Sequence, residues 1–292
     1  MHFLILCIVS STGIFIVFKS IDRLRIPPLP IIVLNYLTAT LLGYFIQASP
    51  MDVTAMVRAE WFPVSMVIGI LFIVMFFLVA YSSSKAGISI TTVASKMSVI
   101  FPIMFSMVMD AGDRLTLVKT FAIACALTGV AMTVYKPRDG SVERTAIIIP
   151  LLLFVGMGLV DSLVKYAQHR YVGDTEVAPF SSVLFLNAFI SGLLVMVFMP
   201  RHHRQFLRPA VWGWGVLLGA VNFGSIFFLV RALNYLSPGG ESTDSSAIFG
   251  INNIGIVALS VVAGLVIFRE HLKPLNWAGV GLSAVALVLF ML

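Results

Sequence analysis

Ten long apolar runs divide the 292-residue sequence, and they constrain the fold more than any other feature. A helix needs about 20 apolar residues to cross the hydrocarbon core of a bilayer. The runs lie at residues 2–19, 30–48, 61–82, 88–109, 115–135, 145–167, 179–199, 210–231, 245–268 and 274–292. Because only short connections remain, we predict an all-α integral membrane protein with ten transmembrane helices and no soluble domain.

Composition agrees with a membrane environment. Hydrophobic residues make up 59% of the chain and charged residues 11%, whereas a soluble domain contains about 25% charged residues. The formal net charge of +6 comes from basic residues that are scattered through short connections. Nucleic-acid binding uses basic residues gathered on one face. The lipid bilayer, and not a nucleic acid, is therefore the expected partner of the surface.

Lysine and arginine residues are distributed unevenly between the connections. The odd-numbered connections carry twelve of them and the even-numbered connections carry six. Positive residues are enriched in cytoplasmic loops of membrane proteins. We therefore predict that the odd connections are cytoplasmic and that both termini lie outside. The expected location is a bacterial cytoplasmic (inner) membrane.

Short segments of the first five runs recur in the last five. In the same order, residues 34–35 recur as 186–187, residues 76–79 recur as 227–230, and residues 113–115 correspond to 270–272. A repeat of five helices enters the bilayer in the opposite orientation, and inverted repeats are typical of alternating-access transporters. We predict two inverted five-helix repeats, residues 1–139 and 140–292, with a solute site at their interface.

Lys96 is the most unusual residue of the apolar runs. It lies near the middle of the run 88–109, flanked by Ser95 and Ser98. A lysine in the middle of a span costs several kcal/mol and is retained where it faces a polar cavity or a partner. We interpret Lys96 as a substrate-binding residue. A buried structural ion pair is the alternative.

Amide side chains provide further candidates for substrate binding. Asn252 and Asn253 occupy the depth of the ninth run that corresponds to the lysine in the fourth. Asn35 and Asn187 form a second symmetric pair, and Tyr36 adjoins the first of them. Asparagines also bond neighbouring helices within membranes. The sequence therefore leaves substrate binding and helix association open for all of these residues.

Asp161 is a carboxylate well inside a predicted span, and Lys165 follows it by four residues. Side chains four residues apart lie on one face of a helix. Asp161 has three open roles: to neutralise Lys165, to neutralise Lys96 across a cavity, or to bind a proton during transport. We assign Asp161 and Lys165 to proton or charge coupling. If all three side chains face the cavity, their charges sum to +1, which favours an anionic solute.

The ends of the two halves share a further pattern. Residues 268–272 (FREHL) precede Trp277, Ala278 and Gly279, and the first half ends in a weaker version, residues 113–115 (DRL) and 128–130 (TGV). This pattern resembles the closing segment of EamA-like domains in the drug/metabolite transporter superfamily, with Asp113 where glutamate is usual. Residues 100–102 (IFP) look like that family's fourth helix, whereas the ninth run lacks its common proline. The resemblance implies ten helices, inverted repeats and transport, and it identifies no substrate.

These features predict a secondary transporter that moves a small polar metabolite without a cofactor. The sequence has no G-x-x-x-x-G-K-[ST] loop for ATP. An intramembrane enzyme needs a nucleophile with a base, or a metal cluster, at membrane depth. Because all five histidines lie at helix ends or in connections, we expect neither an enzyme nor a metal site. A membrane receptor or assembly partner that binds a solute without transporting it is the remaining alternative.

Overall fold

The computed structural model describes residues 2–46, 53–102, 104, 116–134, 145–172, 177–199, 205–233 and 245–289. The described residues form an all-helical bundle. Its elements are α1 (His2–Arg23), α2 (Pro28–Ile46), α3 (Val53–Arg58), α4 (Phe62–Lys85), α5 (Ile88–Met97), α6 (Leu117–Val134), α7 (Thr145–Arg170), α8 (Val177–Val197), α9 (Pro209–Leu233), α10 (Ser245–Val266) and α11 (Pro274–Leu289).

Each predicted apolar run overlaps one of the longer helices, although α5 covers only the first part of the run 88–109, and α3 is a short additional helix of six residues. Within the described ranges, α1, α2, α4, α6, α7, α8 and α9 are long and apolar enough to cross a membrane. The segments 88–102, 251–266 and 274–289 are shorter apolar helices. The predicted all-helical class is confirmed, and seven long apolar helices in the described ranges are compatible with a membrane protein. Residues 113–115 of the repeat and of the family pattern lie outside the described residues.

The fourth apolar run is interrupted beside Lys96. Helix α5 ends at Met97, and the chain becomes helical again at Ile100 after a turn. Proline lacks an N–H group, so Pro102 cannot donate a helical hydrogen bond to the carbonyl of Ser98. Phe101 N donates to that carbonyl instead, at 3.0 Å. The proline therefore accounts for a tighter turn at this point in the helix.

The helices pack in a pattern that joins the first predicted half to the second. Helix α1 contacts α9 and α10, α2 contacts α8 and α9, and α4 contacts α7 and α8. Helix α5 contacts α7 and α10, and α6 contacts α11. The largest buried apolar cluster lies between α1, α2, α4, α8 and α9, and a second one lies between α5, α6, α10 and α11.

Glycines mark the close crossings between helices. A Cβ atom on Gly215 of α9 would lie 2.5 Å from Leu34 Cβ, and one on Gly219 would lie 2.7 Å from the carbonyl oxygen of Asn35. In α4, a Cβ on Gly69 would lie 2.9 Å from the backbone nitrogen of Ala188. Small residues let helix backbones approach closely in membranes. The spacing of Gly215 and Gly219 thus serves helix packing.

Candidate functional site

Helices α5 and α7 carry the two charged side chains that lie well inside apolar runs, and α1 and α10 pack against α5. Lys96 lies on α5 in the first predicted half, and Asp161 lies on α7 in the second. The two side chains interact electrostatically, and both are partly exposed although they lie well inside their helices. Of the two lysines considered as partners of Asp161, Lys96 lies within electrostatic range of the carboxylate.

The Lys96 ammonium has unused hydrogen-bonding capacity. Among the described residues it forms no hydrogen bond and no ion pair within 4.0 Å. A lysine ammonium has three N–H donors, and leaving such donors unsatisfied in a protein interior is costly. Lys96 and Asp161 thus interact through their charges and without a direct contact. The N–H donors of Lys96 have no partner among the described residues and can bind a polar group of a solute.

Cys7 of α1 is a second group near Lys96, and it is not among the residues singled out from the sequence. Its thiol lies within electrostatic range of Lys96 and donates to the carbonyl oxygen of Ser225 at 3.1 Å. Ser11 lies one turn further along α1, with its hydroxyl 4.0 Å from the thiol. The four-residue spacing of Cys7 and Ser11 was the available signal, since it places both on one face of the helix.

Among the described residues, Asp161 has one hydrogen-bonding partner, Ser98 at the interruption after α5. The Ser98 hydroxyl lies 3.2 Å from Asp161 Oδ2 and 2.6 Å from the carbonyl oxygen of Ser95. A hydroxyl group has a single proton, so it cannot donate fully to both acceptors. The short contact with Ser95 uses that proton. If Asp161 carries a proton, the carboxyl group can donate to Ser98, and both contacts are then satisfied.

Lys165 has a different environment from Lys96. It is exposed, and its ammonium donates a long hydrogen bond of 3.5 Å to the carbonyl oxygen of Pro102. No ion pair joins it to Asp161 within the described residues. Without Lys165, the charges of Lys96 and Asp161 sum to zero instead of +1.

Unpaired polar atoms lie on the helices around the charged pair. Asn252 of α10 is only 4% exposed, and its Oδ1 has no hydrogen-bond partner among the described residues. The same holds for Thr92 Oγ1 of α5, one turn before Lys96, and for Thr12 Oγ1 of α1. Asn253 is partly exposed. Because an unsatisfied buried polar atom costs about 1–3 kcal/mol, these atoms favour the binding of water or a polar solute.

Asn35 and Asn187 lie instead at the glycine crossings and have hydrogen-bond partners there. Asn222 Nδ2 of α9 donates to Asn35 Oδ1 at 3.1 Å, next to Gly219. Asn187 Nδ2 of α8 donates to Ser65 Oγ of α4 at 2.9 Å. These bonds link α2 to α9 and α8 to α4. For Asn187 this geometry matches helix association. Asn35 Nδ2 is buried and has no hydrogen-bond partner among the described residues, so both roles stay open for Asn35.

Tyr36 is fully buried among aromatic side chains. Its hydroxyl donates to the carbonyl oxygen of Phe72 at 3.0 Å, and its ring lies next to Phe72, Phe76 and Phe185. Successive residues of a helix point about 100° apart, so the proximity of Tyr36 to Asn35 in the sequence does not place them in one site. The partners of Tyr36 belong to the apolar core.

Comparison with known proteins supports the fold and provides no function. No family model matches the chain. An uncharacterized protein of Haemophilus influenzae is 25% identical over 293 residues, which cover 98% of this chain and 96% of that protein. A solved crystal structure is similar over 99% of this chain and 97% of its own, with a TM-score of 0.58 and 15% sequence identity. At 15% identity this similarity shows a shared fold only, and it covers nearly the whole chain.

Proposed function

We propose that this protein is a secondary transporter that carries a small polar solute across the membrane by alternating access. It would span the bilayer with ten helices, in two inverted repeats of the EamA-like kind. The observation that carries the proposal is the charged pair. Lys96 and Asp161 come from different halves, lie inside apolar helices and are both partly exposed. Ionisable residues within membrane spans typically face a solute or ion pathway.

The pattern of helix contacts supports the two repeats. The repeat relates α1, α2, α4, α5 and α6 to α7, α8, α9, α10 and α11, in that order. If each helix is replaced by its equivalent in the other half, a contact within the bundle should become another observed contact. The contact α1–α9 becomes α7–α4, α2–α9 becomes α8–α4, and α1–α10 becomes α7–α5, and all six of these contacts are present. The contacts α2–α8, α5–α10 and α6–α11 convert into themselves. Such a pattern is expected of two similar halves related by a twofold axis.

The crossings that contain Asn35 and Asn187 obey the same exchange. Asn35 of α2 lies against Gly219 of α9, and Asn187 of α8 lies against Gly69 of α4. The exchange relates α2 to α8 and α9 to α4. Equivalent helices thus use the same pair of residue types, which supports a repeat at the level of side-chain packing.

The chemistry of the charged pair favours an anionic group on the solute, with a proton as the coupling ion. While Asp161 is ionised, its charge neutralises that of Lys96. When Asp161 takes up a proton, the positive charge of Lys96 becomes available to bind a carboxylate or phosphate. A proton and an anionic solute therefore favour each other's binding, which is the linkage that coupled transport requires.

Charge balance gives the mechanism a second advantage. The empty site holds one positive and one negative charge, and the site with a bound proton and a singly charged anion is also neutral. Uncompensated charge at membrane depth is expensive. Both the empty and the loaded protein can therefore change conformation without moving net charge through the apolar region.

Thermal unfolding of the purified protein in detergent, against a panel of amino acids, vitamins, nucleosides and sugar phosphates, tests this proposal. A ligand at a hundredfold excess over its Kd stabilises the folded state by about 2.7 kcal/mol. Lys96→Ala should abolish the response to an anionic compound, and Lys165→Ala, which removes the exposed lysine, should retain it. An equal response in parent and Lys96→Ala would contradict this site.

A further inference from the structure

One end of the bundle contains polar contacts that join the two predicted halves. Helices α1, α4 and α10 end there, and α5 begins there. The contacts involve Arg23, residues 87–89, residues 267–268 and Glu270, which together are named the capping cluster. Each half provides a side chain that caps a helix of the other half.

Glu270, which follows α10, caps the first turn of α5. Its Oε1 accepts a hydrogen bond from Ile88 N at 2.6 Å, and its Oε2 accepts bonds from Ser89 N at 3.2 Å and Ser89 Oγ at 3.0 Å. The first N–H groups of a helix lack intrahelical partners and lie at the positive end of its dipole. A carboxylate from the second half therefore stabilises a helix terminus of the first.

Two glycines leave the room that the Glu270 carboxylate occupies. A Cβ on Gly87 would lie 2.7 Å from Glu270 Oε1, and one on Gly264 would lie 2.6 Å from Oε2. Gly87 also has a φ angle of 100°, a conformation that L residues with side chains rarely adopt. The backbone is thus shaped closely around the carboxylate.

Arg23, at the end of α1, caps α10 in return. Its guanidinium donates to the carbonyl oxygen of Phe268 at 2.6 Å and to that of Ile267 at 3.4 Å, and it lies 4.7 Å from the centre of the Phe268 ring. These two carbonyl groups belong to the turn directly after α10, at the negative end of its dipole, where a cation is stabilised. Arg23 is therefore the counterpart of Glu270, with the two halves exchanging roles.

Contacts next to the capping cluster hold α1 against its own half. Lys19 donates to the carbonyl oxygens of Ser83 and Ser84 at 2.8 and 3.2 Å, and the Ser84 hydroxyl donates to Asp22 at 2.7 Å. These contacts join α1 to α4 within the first half. They fix the end of α1 where Arg23 reaches the second half.

We propose that the capping cluster is the gate that closes the solute pathway at this end of the protein, and that the pathway opens here when both caps break. This inference rests on the proposed transport function. Lys96 follows Ile88 by eight residues, which places it roughly 12 Å along the helix from the cluster. The closed gate therefore lies between the charged pair and the surface at this end. Breaking both caps exposes a helix N-terminus of one half and a helix C-terminus of the other.

Ser260 offers a reporter for the opening of this gate. It is fully buried on α10, one turn before Gly264, and its hydroxyl has no hydrogen-bond partner among the described residues. Cysteine has nearly the same size as serine. The chain's two cysteines, Cys7 and Cys125, are first changed to serine, and Ser260→Cys is then introduced. The rate at which a membrane-impermeant maleimide labels this thiol in detergent measures how often the gate opens.

Glu270→Gln and Arg23→Gln each weaken one cap, so we expect each to increase the labelling rate about tenfold. Arg25→Gln is the matched control for Arg23, because Arg25 is an exposed arginine in the same connection. Glu60→Gln, which removes an exposed carboxylate near the start of α4 at its other end, is the control for Glu270. Both controls should label at the parent rate. Circular dichroism and gel filtration show which variants fold.

Equal labelling rates in all folded variants would overturn the proposal, and so would equal acceleration in the two controls. If Glu270→Gln does not fold, the comparison of Arg23→Gln with Arg25→Gln decides. The measurement needs no solute and is independent of transport. If the cap variants label faster but the protein transports no solute, the result supports opening at the capping cluster and refutes the proposed transport function. If the protein transports a solute but the cap variants label at the parent rate, only the gate proposal is refuted.

Discussion

The asparagine crossings and the charged pair are both polar regions within apolar helices, yet their side chains are satisfied to different degrees. Asn187 Nδ2 and Asn35 Oδ1 each form a hydrogen bond to the helix that they cross, at 2.9 and 3.1 Å, whereas Asn35 Nδ2 has no partner among the described residues. Lys96 forms none among the described residues, and Asp161 shares one hydroxyl with a competing acceptor. Both regions join the first half to the second, and both lie at a helix crossing.

This difference separates a structural role from a functional one. A polar group that already has its partner contributes to helix association and gains little from a ligand. A charged group without a close partner costs stability in the folded protein, and a solute that supplies the partner recovers that stability. The following substitutions test the distinction, beginning with the largest expected effect.

Asp161→Asn should remove the pH dependence of solute binding. If binding of the anionic solute requires one proton on Asp161, affinity in the parent falls about tenfold for each pH unit above the range where Asp161 titrates, and about a hundredfold over two units. Asparagine imitates the protonated carboxyl group, so the variant should keep the affinity that the parent has at low pH. Titration calorimetry across this range measures the slope. Equal slopes in both proteins would remove Asp161 from the coupling step.

Gly69→Ala should destabilise the protein and leave solute binding unchanged. The added methyl group would lie 2.9 Å from the backbone nitrogen of Ala188, so α4 and α8 must separate, and overpacking of this kind costs about 1–3 kcal/mol. Gly281→Ala is the matched control, since a Cβ there meets no atom within 4 Å. Thermal unfolding of both variants gives the comparison. A Gly69→Ala protein as stable as the control would show that the crossing is loosely packed.

Asn187→Ala should have a smaller effect of the same kind. It removes the hydrogen bond to Ser65, while the Ser65 hydroxyl keeps its bond to the carbonyl oxygen of Phe62 at 2.6 Å. A hydrogen bond between helices in a membrane is worth about 0.6 kcal/mol. The melting temperature should fall slightly, and the stabilisation by a bound solute should keep its full size. Loss of that stabilisation would move Asn187 from the structural group to the binding site.

Lys165→Ala should change least. Its ammonium is exposed and, within the part of the chain that the structure describes, forms only the long bond to Pro102. Surface substitutions usually alter stability by less than about 0.5 kcal/mol. Its unfolding temperature and its response to solute should both equal those of the parent. If Lys165→Ala loses solute binding as Lys96→Ala does, Lys165 belongs to the binding site. The charges of Lys96, Asp161 and Lys165 at that site would then sum to +1.

The helices could be predicted from the sequence because bilayer thickness fixes the length of an apolar run. Lys96 could also be identified, since a lysine in the middle of such a run is unusual in itself. The tighter turn beside it follows from Pro102, which was a visible signal. Each of these features depends on residues that are close together in the chain, so the sequence alone is enough to predict it.

Pairings between distant residues could not be predicted in the same way. Asp161 had Lys165 four residues away as a plausible partner, but the packing of α7 against α5 brings Lys96 within electrostatic range of it. Glu270 caps a helix that begins 182 residues earlier. Such contacts depend on how helices pack, which a single apolar pattern does not encode.

Uptake into proteoliposomes tests the central claim most directly, with the compound that gives the largest thermal stabilisation. We predict that an inward proton gradient drives uptake by the parent, that Lys96→Ala shows none, and that Lys165→Ala transports normally. For a singly charged anion, uptake should not respond to membrane potential, because the loaded site is neutral. A compound that stabilises the protein but never enters sealed vesicles would contradict the account and identify a receptor instead.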